Sequence, residues 1–121
     1  MELEEILKSV LAECAYDDVG LWSIIFRVNG GAYARYSILP DRVRRETMKI
    51  VNELLSRELI EAGNPNGPTF VRFSWSVPEI IDYIESEWDK LGRTADVGEI
   101  CWFRATPTGK KLADELGLKG Y

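Results

Sequence analysis

The stretch Asp41-Arg-Val-Arg-Arg-Glu-Thr-Met-Lys-Ile-Val-Asn-Glu-Leu-Leu-Ser-Arg-Glu-Leu-Ile-Glu-Ala-Gly63 changes its period part-way along. In its first two thirds, Val43, Thr47, Ile50, Val51, Leu54 and Leu55 follow at i, i+4, i+7, i+8, i+11 and i+12. That spacing lays one buried stripe along a helix running from Pro40 or Asp41 to about Glu58. Arg42, Arg45, Lys49, Asn52 and Ser56 fall on the opposite face. From Leu59 the residues suit a strand, and Gly63-Asn-Pro-Asn-Gly-Pro68 is rich in turn formers, with Asn66-Gly67 at its tip. Thr69 to Trp75 then alternates, placing Val71, Phe73 and Trp75 on one face and Phe70, Arg72 and Ser74 on the other. A long amphipathic helix therefore runs directly into a β-hairpin over residues 59–75.

Working outward, Ser76-Val-Pro-Glu79 has the residues of a capping box with Pro in the first turn. It opens a helix to about Leu91 that buries Val77, Ile80, Ile81, Ile84, Trp88 and Leu91, and Gly92 ends it. The outer face of that helix is acidic: Glu79, Asp82, Glu85, Glu87 and Asp89. Glu99 to Ala105 reads as a third strand, and Thr106-Pro107 opens a last helix to about Leu116. Upstream, Leu3, Ile6, Leu7, Val10, Leu11 and Cys14 sit at helical spacing between Glu2 and about Ala15. Asp17 or Asp18 is the natural cap of a second helix, Val19 to about Val28, which is apolar nearly all round; Asn29-Gly30-Gly31 stops it. Residues 32–40 fit a short helix, a strand or an ordered loop equally well. The expected architecture is a single α+β domain over residues 1–121, with helices, a small three-stranded antiparallel sheet and an extra helix inserted between its second and third strands.

Composition narrows the chemistry. A chain of 121 residues that is 45% hydrophobic and 29% charged is that of one ordinary globular domain. Its apolar runs fall far short of the ~20 residues that span a bilayer. The acidic start Met1-Glu-Leu-Glu-Glu5 lacks the basic beginning of a secretory signal, so a cytoplasmic protein with no membrane partner is expected. Cys14 and Cys101 then read as buried free thiols. No histidine is present. That removes the commonest general base and zinc ligand, and with them every Ser-His-Asp and Cys-His arrangement. No catalytic residue, metal site or cofactor is expected, and the chain reads as a non-enzyme. The net charge of −5 is unevenly spread. Residues 27–57 carry seven bases against three acids, while both flanking regions are acidic, so a polyanion would be drawn to the middle third and repelled by the ends.

Two stretches together resemble the winged helix-turn-helix superfamily, in particular small bacterial regulators. Ile50-Val-Asn-Glu-Leu-Leu-Ser-Arg-Glu-Leu-Ile-Glu-Ala-Gly63 is similar to a recognition helix passing into the first wing strand. Trp102-Phe-Arg-Ala-Thr-Pro-Thr-Gly-Lys-Lys-Leu-Ala113 is similar to the returning wing strand and the Thr-Pro-x-Gly turn into the next helix. The direct likeness covers about a quarter of the chain. It implies a DNA-binding transcriptional regulator whose recognition helix enters the major groove, working as a homodimer on paired half-sites. Carried onto this chain, the duplex-DNA contacts would be Arg42, Arg44, Arg45, Lys49 and Asn52, with Arg35 and Tyr36 approaching the backbone from the preceding turn. Two departures stand out: the expected wing tip, Asn64 to Pro68, carries no charge, and the inserted helix is acidic.

Each of these features also has a plainer reading. The arginine cluster fits a solvated helix face paired with Glu46 and Glu53, and Asp17-Asp18 fits helix capping better than metal binding. Trp22, Trp75 and Trp88 fall on expected core faces, with Trp102 undecided. The acidic face Glu79, Asp82, Glu85, Glu87 and Asp89 fits either simple solubility or a docking surface for a protein partner. The alternative function is thus a small acidic interaction module, an adaptor or toxin-neutralising partner, on the same scaffold.

Overall fold

The computed structural model describes residues 3–32 and 38–118. The elements are α1 (Leu3–Tyr16), β1 (Val19–Gly20), α2 (Leu21–Val28), α3 (Asp41–Ser56), β2 (Ile60–Asn66), β3 (Thr69–Arg72), α4 (Val77–Leu91), β4 (Trp102–Ala105) and α5 (Pro107–Glu115). The strands form one antiparallel sheet in the order β1-β4-β2-β3. An α+β fold is therefore borne out, and so is a helix between hairpin and returning strand. The expected three-stranded sheet is corrected to four strands. Most of the undecided segment at 32–40, with Arg35 and Tyr36, lies outside the described residues.

The added strand is β1. Val19 and Gly20 read as the start of a helix, yet they pair with Phe103 and Trp102. Gly20 is the N-cap of α2, with extended backbone (φ −75°, ψ 155°), so neither Asp17 nor Asp18 caps it. Its lack of a side chain is used: a Cβ there would lie 2.6 Å from the Trp22 ring. Leu21 N–H then donates to the Cys101 carbonyl at 3.2 Å, tying the start of α2 to the strand beside it.

The core lies between the sheet and the helices. α1 packs on α3, α5 and β4, and α4 packs on α3. Val10, Leu11, Leu21, Ile24, Val43, Ile50, Leu54, Ile84 and Phe103 are fully or almost fully buried. Thr47, placed by its spacing on the buried stripe, is fully buried as well. At α4 the expected signals are all realised: Ser76 and Glu79 form the reciprocal capping box, Pro78 occupies the first turn, and Gly92 caps the end at φ 65°.

The hairpin turns later than its composition suggests. β2 continues through Gly63-Asn64-Pro65 to Asn66, and the two-residue turn is Gly67-Pro68, with Gly67 at φ 62°. Positive φ followed by a proline is the pattern of a type II′ turn, whose twist suits a hairpin. Pro65 is tolerated because it stands opposite Phe70 at a position whose N–H faces away from β3, beyond the end of β4. At the other end, the strand expected from Glu99 begins only at Trp102. Cys101 N–H donates to the Glu99 carbonyl at 3.0 Å around Ile100, which sits at φ 72°, a γ-turn that ends strand geometry. Arg93 grips Glu99 through two bonds at 2.7 and 2.8 Å and closes the loop before it.

The Thr-Pro-x-Gly turn is a docking device. Thr106 Oγ1 accepts from Gly109 N–H at 3.0 Å and donates to the Glu58 carbonyl at 2.6 Å, while Thr106 N–H bonds the Leu59 carbonyl. A Cβ at Gly109 would lie 1.9 Å from that same Leu59 oxygen. The start of α5 is thereby pressed against the point where α3 becomes β2.

Candidate interaction surfaces

The basic face of α3 is smaller than its residue list implies. Arg42 is exposed but bound to Glu46 on the next turn at 2.9 Å. Arg44 points elsewhere: its Nε donates to Glu85 at 2.8 Å, its Nη2 donates to the Glu85 carbonyl and pairs with Asp89 at 2.9 Å, and its guanidinium lies 5.0 Å over the Trp88 ring. It clamps α4 onto α3. Spacing contains the signal for this, because Arg44, Met48, Val51 and Leu55 follow at i, i+4, i+7 and i+11, so Arg44 borders the buried stripe. Arg45 and Lys49 are exposed and make no ion pair among the described residues. Asn52 is exposed beyond them and accepts from the Ser56 hydroxyl at 3.4 Å. Arg35 lies outside the described residues.

The acidic face of α4 is likewise divided. Glu85 and Asp89 face Arg44, and Glu87 holds Lys90 at 2.9 Å. Glu79 serves the capping box, whose bonds hold its carboxyl below the usual range. Asp82 is left exposed, with no ion pair among the described residues.

A different surface emerges where β3 leaves the sheet. Trp75, read as a core residue, is 42% exposed. It stacks on Phe73 at 4.3 Å between ring centroids, and Tyr83 of α4 meets both rings, at 5.1 Å from Trp75 and 5.6 Å from Phe73. Glu79, Tyr83 and Glu87 follow at four-residue spacing on α4, so a carboxylate lies on either side of the phenol. Burial first, and the Glu87 charge second, raises the Tyr83 phenol above its ordinary pKa. Val71, one pleat further out than Phe73, is 54% exposed. The sequence hid this cluster because hairpin alternation marks a face without saying how far a neighbouring helix covers it.

Beside the aromatic group is a cleft of about 280 Å³, lined among others by Leu55, Glu58, Ile60, Glu61, Trp75 and Ile80. Glu61 is held by Arg104 at 2.6 Å and approached by Arg72 at 3.9 Å. Glu58 makes no ion pair among the described residues and has φ 58°, a left-handed backbone uncommon outside glycine and asparagine. Neither residue was singled out from the sequence. Helix-end statistics place glycine after a last turn, so a glutamate there is a departure visible only once the end of the helix is known.

Among the described residues, no group of three His, Cys, Asp or Glu side chains is placed to hold a metal ion. Both cysteines are buried free thiols, and burial pushes Cys101 up to about 12 and raises Cys14 as well. Neither presents a thiolate near neutral pH. No helix among the described residues is long and apolar enough to cross a membrane. No protein-family model, curated protein or solved structure matches the chain.

Proposed function

We propose that this protein is a protein-binding module built on a winged-helix scaffold, and that the Phe73–Trp75–Tyr83 surface is its contact face. The scaffold reading is supported by the order of three helices with a short strand after the first, followed by an antiparallel sheet whose returning strand β4 lies between β1 and β2. In this reading α4 is an insertion that replaces a charged wing tip. The observation carrying the functional reading is the exposure of Trp75. A large ring at 42% exposure, stacked and fixed by two neighbours, offers apolar area with little entropy left to lose on binding, as anchor residues of interfaces do. The test is affinity capture from the native host with wild-type protein, Trp75→Ala and an Arg45→Ala/Lys49→Ala double variant. A partner held by the wild type and the double variant but lost by Trp75→Ala supports the reading; retention by all three sinks it.

A second reading, a DNA-binding transcriptional regulator acting as a homodimer in the cytoplasm, is favoured by one observation. Arg45 and Lys49 stand four residues apart on the outward face of α3 without ion-pair partners among the described residues. Two or three phosphate contacts give a salt slope of only about −2 to −3 and little affinity at physiological salt. Fluorescence anisotropy with duplex DNA at about 50 mM salt decides it, with Arg45→Ala and Lys49→Ala as controls.

A further inference from the structure

The cleft beside Trp75 contains an interrupted sheet edge. Phe73 N–H donates to the Ala62 carbonyl at 2.9 Å, so Ala62 faces β3. Backbone direction alternates along an antiparallel strand, and Leu59, whose carbonyl accepts from Thr106 N–H, faces the β4 side. Ile60 must therefore turn its N–H and C=O toward the line of β3. Yet β3 ends at Arg72 and the chain turns off into α4, so no strand occupies the place beside Ile60. The residue is only 2% exposed and lines the cleft, and among the described residues its N–H and C=O have no backbone partner on that side. A buried amide and carbonyl gain from hydrogen-bond partners, which an added strand would supply.

The rim supplies the chemistry of an occupant. Trp75 forms one wall, Arg72 and Arg104 offset Glu61, and Glu58 presents a carboxylate with no ion pair among the described residues, from a left-handed backbone that glycine would adopt more cheaply. At about 280 Å³ the space is small for an independent ligand, but it suits a side chain or two of a longer chain. We propose that an extended, basic segment of a protein partner docks here, prolonging the line of β3. Its backbone pairs with Ile60 N–H and C=O, and a Lys or Arg side chain lies over Trp75 and meets Glu58. This rests on the protein-binding reading above and names the form of the partner.

The probe is a short blocked peptide alternating Val and Lys, compared with its Val–Glu counterpart and with a version N-methylated at alternate residues to remove backbone donors. With the Val–Lys peptide, the Ile60 amide signal shifts in NMR, its hydrogen exchange slows about tenfold or more at saturation, and Trp75 emission changes. The other two peptides leave these signals unchanged. Glu58→Gln weakens binding about tenfold. Glu58→Gly, which relieves the backbone, raises the denaturant midpoint and still weakens binding, separating a docking role from a structural one. The inference is overturned by no saturable change below about 1 mM, by equal binding of the Val–Glu peptide, or by binding that leaves the Ile60 amide unprotected. If these fail while partner capture still depends on Trp75, the protein-binding function stands and only the strand-addition geometry falls.

Discussion

Gly109 shows how tightly single positions are constrained. The Leu59 carbonyl occupies the place a side chain would need, and that oxygen is backbone, unable to swing aside. Gly109→Ala is expected to destabilise the fold by about 2–3 kcal/mol, seen as a lower urea midpoint with an unchanged slope. The two thiols set an alkaline limit. Cys101 has an ordinary value of 9.0 and is raised by burial to about 12 in the folded state. Between those values the unfolded chain releases a proton that the folded chain keeps, so stability falls as pH rises, by up to about 1.4 kcal/mol per pH unit for each thiol. Urea midpoints measured from pH 8 to 11 check this. In native protein at pH 8 neither thiol should react with a disulfide reagent within minutes, and both should react in denaturant.

Between elements, the joint of α3 with α4 is the one to test. Arg44→Ala removes the contacts to Glu85 and Asp89 and the packing over Trp88. Because the carboxylates are largely solvated, the expected loss is about 1 kcal/mol, against under about 0.5 kcal/mol for the exposed Arg42→Ala. Comparing the two variants by thermal or urea unfolding distinguishes a clamp from a surface charge. Elements with local signals were legible from sequence: the stripe Val43 to Leu55, the Ser76–Glu79 box with Gly92, and Thr106-Pro107 all mark real boundaries. What failed depends on distant partners. A strand of two residues, Val19–Gly20, has no period to read and exists because Phe103 and Trp102 arrive beside it. Likewise Trp75 shares a pleat with Phe73, and only the path of α4 decides how much of its ring is covered. Of the basic set, Arg45 and Lys49 came out on an open face, while Arg44 was claimed by a helix whose docking position composition does not reveal.

Across the whole molecule, charge and shape point in different directions. The net charge of −5 opposes a polyanion, while two cations on α3 without ion-pair partners among the described residues offer it a small foothold. Duplex DNA is therefore expected to bind no tighter than a typical non-specific complex, roughly 10⁻⁴–10⁻⁶ M at physiological salt, and to dissociate as salt is raised. The docking proposed beside Trp75 draws instead on the carboxylate of Glu58, which lines the same cleft. Val19 and Phe103 pair across most of the chain, and β4 is the strand that joins β1 to β2. Closing that ladder means drawing together residues far apart in the sequence. Until β4 emerges from the ribosome, α1 lacks the strand it packs on and β1 has no partner in the sheet. Refolding should therefore be slower than that of a helical bundle of the same size, in the range of milliseconds to seconds by stopped-flow. The nascent chain would then be a client for chaperones for as long as its last strand is missing.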